Sequence, residues 1–331
     1  MQRSAILGVG HHVPDKVVTN HDLAKLMPTT DEWIVQRTGI KERRYAEDGV
    51  GASDLAVPAC HMALERAGLE VKDVDAIVFA TLSPDVQFPG SGCFLQRKLG
   101  LPGVPAMDVR NQCSGFLYGL SVADAWVRVG QFRHVLVVGA EVHSTGVEFT
   151  ERGRDVAVIF GDGAGAAVVG PSDRDERGIF SIRLHADGKG AEDLWIPAPA
   201  SRHMPRITHE MLDQGLQWPH MKGKQVFRWA VEKMPEVARE VLDAAGWKTE
   251  DVDLFVPHQA NMRINQMVAM NLGIPADKTV HNIERYGNTT AATIPIGLSE
   301  AYAEGRLKGG ARVLMAAFGS GYTWAGAVAR F

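Results

Sequence analysis

Three residues in this sequence have side chains that can do chemistry and sit where the chain would present them. They are Cys113 in "RNQCSGFLYG" (110–119), His258 in "VPHQANMRI" (256–264) and Asn288 in "RYGNTTAATIP" (285–295). A thiol at a helix start feels the positive end of the helix dipole, which favours the nucleophilic thiolate. Gly115 lets other backbone approach such a site closely. Free cysteine is also among the most buried residue types, so Cys113 could equally be a small apolar filler. His258, flanked by Gln259 and Asn261 at the end of an apolar run, reads either as a proton-handling or hydrogen-bonding imidazole or as a structural histidine. Asn288 follows Gly287 and is either an amide donor or a helix N-cap. Cys60, in an apolar helical stripe, and Cys93, in "PGSGCFLQRKLG", read as packing.

The elements that must hold these side chains alternate short apolar runs with amphipathic ones, the pattern of an α/β fold. Strands are expected at "DAIVFAT" (75–81), "HVLVVGAE" (134–141) and through "VAVIFGDGAGAAVVG" (156–170). A helix is expected over 53–68, with Ser53 as N-cap and Gly68 closing it. From Cys113 onward, Phe116, Leu120, Ala123 and Val127 fall on one helical face, and "VPAMDV" before it reads as extended. Cys113 is thus expected at a strand-to-helix turn. "FGDGAGAA" (160–167) has the G-x-G-x-x-A spacing of a dinucleotide fingerprint, but "AAVVG" follows in place of a helix. That argues for a hairpin of small residues and against a nucleotide cofactor.

The chain also repeats itself. "VKDVDAIVFA" (71–80) is echoed by "TEDVDLFVPH" (249–258), and "LGLPGVPAMDVRNQCSGF" (99–116) by "LGIPADKTVHNIERYGNTT" (272–290). A repeat of this length means two copies of one domain, with the division expected at 1–172 and 173–331. The alignment sets Cys113 against Asn288, and Ala80-Thr81 against His258-Gln259. Chemical residues at matching strand ends of two halves favour a cleft between them. The segment 186–225 is aperiodic, and its Trp195, Trp218, Met204 and Met211 favour an ordered wall.

Composition narrows the class. With 331 residues, 45% hydrophobic, there is apolar material for a large core or two fused ones. The net charge of −4, with both signs interspersed, argues against a general binder of nucleic acid or anionic membrane. "MQRSAILGVG" has no signal-peptide core, and no apolar run reaches the roughly 18 residues of a membrane span. Three scattered cysteines without a CxxC suit a reducing cytoplasm, and twelve histidines without HExxH suggest no metal site.

"QCSGF", "PHQANMRI", "YGNTTAATIP" and "FGSGYTW", in this order and over essentially the whole chain, resemble β-ketoacyl-acyl-carrier-protein synthase III of the thiolase-like superfamily. "TTDEWIVQRTGIKERR" (29–44) and "TERG" (150–153) look like further pieces of that pattern. The resemblance implies two duplicated α/β halves in five αβαβα layers, a cytoplasmic homodimer, and no metal or redox cofactor. It implies acyl-CoA and malonyl-acyl carrier protein as substrates of a decarboxylative condensation. Cys113 would be the acylated nucleophile, and His258 and Asn288 the donors to the thioester carbonyl of the second substrate. Trp33, Arg37 and Arg152 would clasp the coenzyme A nucleotide. Phe88 would line the partner subunit's acyl pocket, and Arg263 would dock the carrier protein. The oxyanion would be held by the backbone N–H groups of Cys113 and Ser320, a serine where the family keeps glycine.

Two departures bear on substrate. Asn111-Gln112-Cys113-Ser114 is bulkier and more polar than the family's usual small residues, placing Gln112 in the acyl pocket, and 186–225 is long. A starter longer than acetyl, or branched, is therefore expected. Rival readings are acyl transfer to an alcohol or amine on the same fold, condensation without decarboxylation, and a non-catalytic scaffold. Asn rather than Asp at 288, together with intact Cys113 and His258, favours decarboxylative condensation.

Overall fold

A computed structural model describes residues 3–331. In chain order the strands are β1 (Ser4–His12), β2 (Val17–Thr19), β3 (Glu42–Arg44), β4 (Ala76–Ala80), β5 (Ala106–Val109), β6 (Val135–Glu141), β7 (Gly163–Pro171), β8 (Gly178–Ala186), β9 (Leu194–Trp195), β10 (His220–Met221), β11 (Leu254–Pro257), β12 (Arg312–Gly319) and β13 (Thr323–Arg330). One sheet has the order β1-β7-β6-β4-β5 and the other β8-β13-β12-β11. The pairing directions also match. β1–β7 and β7–β6 are antiparallel and β6–β4 parallel, as β8–β13 and β13–β12 are antiparallel and β12–β11 parallel. Where the second sheet would carry a counterpart of β5, a single parallel bridge joins Phe255 to Thr279.

Burial explains the layering. β4 and β6 are buried along their full length, as strands covered on both faces must be, and read as unbroken apolar runs. The helices Gly115–Arg128 and Thr293–Ala303 pack between the sheets. Phe116, Leu120 and Leu298 share one core with Val78 and Val137 of the first sheet and Val256 and Met315 of the second. The helix Ala52–Ala67 covers the outer face of the first sheet, and Gly223–Ala245 with Met262–Leu272 covers that of the second. The result is the five αβαβα layers.

Several local expectations need correction. The helix Ala52–Ala67 is capped at Gly51, and Ser53 is its buried second residue, its hydroxyl donating to Asp85. Residues 156–170 do not form a hairpin. Arg154–Ala157 is a short helix, Phe160 makes only a lone bridge to Asn288, and the strand begins at Gly163. The physical reason is close packing of the two halves. A Cβ on Gly161 would lie 2.2 Å from the Tyr286 carbonyl, and one on Gly165 2.7 Å from Pro295. The glycines seat the second half against the first. The segment 186–225 is ordered around the β9–β10 ribbon, but Met204 is fully exposed and belongs to no wall. The duplication is also offset from the expected alignment. The turns Gln112–Ser114 and Thr290–Ala292 each open a middle-layer helix, and Gln112 and Thr290 both have positive φ, 45° and 48°. Cys113 therefore corresponds to Ala291, three residues past Asn288.

Candidate active site

Cys113, His258 and Asn288 line one cavity of about 570 Å³, together with Trp33, Arg37 and Arg263. A second cavity of about 280 Å³ also reaches Cys113 and takes in Gln112 and Ser320. These residues come from both halves, so neither half alone builds the site.

Cys113 is buried in the turn that precedes Gly115–Arg128. The end of β12 presses on it. A Cβ on Gly319 would lie 2.8 Å from the Cys113 Cβ and 3.1 Å from Sγ, so a side chain there would displace the sulfur. Ser114 is held by a 2.6 Å hydroxyl contact to Thr323. The expectation of a thiol lowered by the helix start does not hold. Burial, with a smaller contribution from the Glu141 carboxylate, pushes the Cys113 thiol up to about 12.

His258 stands just past β11, its N–H donating to the Ala316 carbonyl. Its Nδ1 is 2.7 Å from the Thr293 hydroxyl, and its Nε2 is buried without a protein partner. Burial lowers its pKa to about 3, so the imidazole is neutral at ordinary pH. The Thr293 oxygen is also 3.1 Å from the Thr290 carbonyl, a longer contact than the one to the ring. The Thr293 hydroxyl has a single proton; given to Nδ1 rather than to the Thr290 carbonyl, it leaves the ring proton on Nε2. Asn288 is anchored by its backbone, which accepts from Gly161 and donates to Ile159. Its side-chain oxygen accepts the Thr290 N–H at 2.8 Å, which turns the amide NH2 the other way. That NH2 has no protein acceptor among the described residues.

Behind Cys113 lies a buried polar cluster that the sequence did not single out. Glu141 accepts from Thr81, Leu82 and Ser83, and burial raises its pKa to about 7. His143, likewise buried and lowered to about 3, has Nε2 2.5 Å from the Thr290 hydroxyl.

At the mouth, Thr30 caps the helix Asp31–Thr38 by accepting the Trp33 N–H, and Gly39 at φ 79° ends it. Trp33 and Arg37 are one turn apart on this helix, with Arg37 4.2 Å from the indole centroid. Arg152 does not join them. It pairs with Glu148 at 2.7 Å and donates to the Asp213 carbonyl. Arg154 stacks on Trp33 instead, 4.5 Å from its centroid. Both arginines stand in one short run, and no spacing rule in it separates them. Arg263 is exposed at the same mouth, 5.8 Å from the Phe227 ring. Ser320 lines the smaller cavity, and its φ is not in the left-handed region, so serine fits where the family keeps glycine. Phe88 is 82% exposed and lines neither cavity.

Two matched α/β halves closed around a buried cysteine define a condensing acyltransferase of the thiolase-like fold. The model of the 3-oxoacyl-[acyl-carrier-protein] synthase III family matches residues 107–188, and that of its C-terminal region residues 242–331. The chain is 44% identical to the β-ketoacyl-[acyl-carrier-protein] synthase III of Caldanaerobacter subterraneus over 99% of this chain and 98% of that protein. It is 42% identical to the Clostridioides difficile protein of the same name, over 99% and 98%. The crystal structure of the Aquifex aeolicus 3-oxoacyl-[acyl-carrier-protein] synthase III superposes with a TM-score of 0.90 at 42% identity, covering 99% of this chain and all of that one. This chain belongs to the 3-oxoacyl-[acyl-carrier-protein] synthase III family.

Proposed function

We propose that the protein condenses an acyl-CoA starter with malonyl-acyl carrier protein by decarboxylation, through an acyl-Cys113 intermediate, and so initiates fatty-acid or related synthesis. The observation that carries this is that the unpartnered Nε2 of His258 and the free NH2 of Asn288 share one cavity with Cys113. In the first stage the Cys113 sulfur attacks the thioester carbonyl, and the oxyanion is held by the N–H groups of Cys113 and Ser320. Coenzyme A then leaves with the thiol proton. In the second stage malonyl-acyl carrier protein loses CO2, and its thioester oxygen gains charge as an enolate. Neutral His258 and Asn288 donate to that oxygen, and the carbanion attacks the acyl-Cys113 carbonyl. A neutral imidazole suits this role because it must donate without becoming a strong acid. The thioester and the malonyl carboxylate supply the driving chemistry, so these steps need no metal or redox cofactor.

The coenzyme A nucleotide stacks at Trp33, clasped by Arg37 and Arg154, with Arg152, the residue the family resemblance points to, held on Glu148. Arg263 receives the acidic carrier protein at the same mouth. Phe88, a large apolar side chain left in water, is completed by a second copy of the chain in a homodimer. The chain divides as 1–172 and 173–331, each part carrying one sheet. Its three free cysteines suit the reducing cytoplasm.

Intact-mass measurement tests the function. An acyl-CoA should leave an acyl adduct that is absent in Cys113→Ala, and malonyl-acyl carrier protein should discharge it as a β-ketoacyl product. Discharge only by water or alcohols would overturn the reading.

A further inference from the structure

The smaller cavity is unusual for a site that holds a hydrocarbon chain. Its walls include Leu82, Val147, Phe160, Leu194, Trp195 and Ile196, and it opens directly onto Cys113. At about 280 Å³ it has room for roughly nine water-sized groups, well beyond an acetyl. Yet Arg110, Gln112 and His143 also line it. The Arg110 guanidinium has no ion pair or hydrogen-bond acceptor among the described residues. The nearest acid in sequence, Asp108, is engaged with the Gly92 N–H instead. Gln112 makes only a long 3.4 Å contact, from its amide nitrogen to the Arg110 carbonyl. His143 uses Nε2 on Thr290, and its Nδ1 has no protein partner.

Gln112 and the Nδ1 edge of His143 beside a reacting sulfur would be a net cost to a site for a saturated chain, because entry of the chain strips their water and returns no hydrogen bond, and the exposed Arg110 adds an unpaired charge. Arg110 and Gln112 offer N–H donors, His143 does so in its Nδ1–H tautomer, and Arg110 carries a fixed positive charge suited to a planar carboxylate. The apolar wall lies on the same cavity and would take the intervening methylenes.

Resting on the acyl-Cys113 reading above, we propose that this cavity selects a starter whose acyl chain ends in a carboxylate, an ω-carboxyacyl thioester of about four to six carbons. Arg110 pairs with the terminal carboxylate, with Gln112 and His143 as neutral donors beside it. The covalent step is the ordinary one. The Cys113 sulfur bonds to the thioester carbon, the bond to coenzyme A sulfur breaks, and the thiol proton leaves with coenzyme A. The distal carboxylate is unchanged.

The test is the initial rate of Cys113 acylation, followed by intact mass, with adipyl-CoA against hexanoyl-CoA in the wild type and in Arg110→Leu. Arg110 is exposed, so the substitution leaves the core untouched. The expected result is faster labelling by adipyl-CoA in the wild type, with the adipyl-to-hexanoyl ratio falling about tenfold or more in Arg110→Leu. Equal or faster labelling by hexanoyl-CoA in the wild type, or an unchanged ratio in the variant, overturns the carboxylate assignment and leaves the condensation reading standing. Failure of any acyl-CoA, acetyl to adipyl, to label Cys113 overturns both.

Discussion

The Nδ1 of His258 and the hydroxyl of Thr293 stand 2.7 Å apart, and the matching pair in the other half of the molecule is Ala80 and Gly115. There the two elements are simply pressed together, since a Cβ on Gly115 would sit 3.0 Å from that of Ala80. One strand end meets one helix start in each half. In the first half the junction is closed by small residues, and in the second it is opened by an imidazole and the hydroxyl that orients it.

Thr293 is therefore a positioning residue, acting through His258. In Thr293→Val the ring loses its hydrogen-bond partner at Nδ1, and condensation should slow by up to roughly 10²-fold. Acylation of Cys113 by acyl-CoA should change much less, and Thr293→Ser should restore condensation. Equal losses in both half-reactions would show a merely structural role.

The Cys113 thiol, pushed up to about 12, should be a thiol at rest. Alkylation by iodoacetamide should rise close to tenfold per pH unit from pH 7 to 10, because the thiolate fraction grows that way below the pKa. A plateau near neutral pH would mean that a thiolate is already present.

Arg154 and Arg152 separate cleanly. Arg154→Ala should raise the KM for acyl-CoA roughly three- to thirtyfold, the loss expected for one cation–π partner. Arg152→Ala should leave that KM near the wild-type value, since its guanidinium is committed to Glu148. Steady-state kinetics at fixed malonyl-acyl carrier protein measure both.

Gly319→Ala tests the fit around the sulfur. Its new Cβ would have to lie within 3.1 Å of Sγ, so Cys113 or β12 must shift. Acylation should fall by more than tenfold, because a displacement of about 1 Å at reacting atoms can cost 10²-fold. The circular dichroism spectrum should remain that of the wild type.

His258 and His143 are both held neutral, each lowered from 6.5 to about 3 by burial. Below pH 6.5 the unfolded chain takes up protons that the folded one does not, so stability is full above that pH and falls as the pH drops toward 3. Denaturant midpoints measured between pH 7 and 4 should decline, and His143→Gln should flatten that decline if the variant folds.

The sequence by itself determined the α/β alternation, the duplication, and which residues are candidates for the chemistry. Those depend on residue type, on apolar periodicity and on motif order, all of which are local or nearly so. It singled out Cys113, His258 and Asn288 by residue type and neighbours, and Trp33 and Arg37 through the order of motifs that resembles the family. Only the tertiary structure decided what depends on contacts across the two halves. Residues 156–160 leave the sheet because Gly161 must meet the Tyr286 carbonyl. Arg154 reaches the Trp33 ring while Arg152 pairs with Glu148, a choice made by contacts between segments. Burial pushes the Cys113 thiol up, and part of that burial comes from Gly319 of the second half, which a helix-start argument made within one segment could not register. His258 acquires its orientation from Thr293, 35 residues away in the chain, and long-range pairs of that kind leave no periodic trace in a sequence.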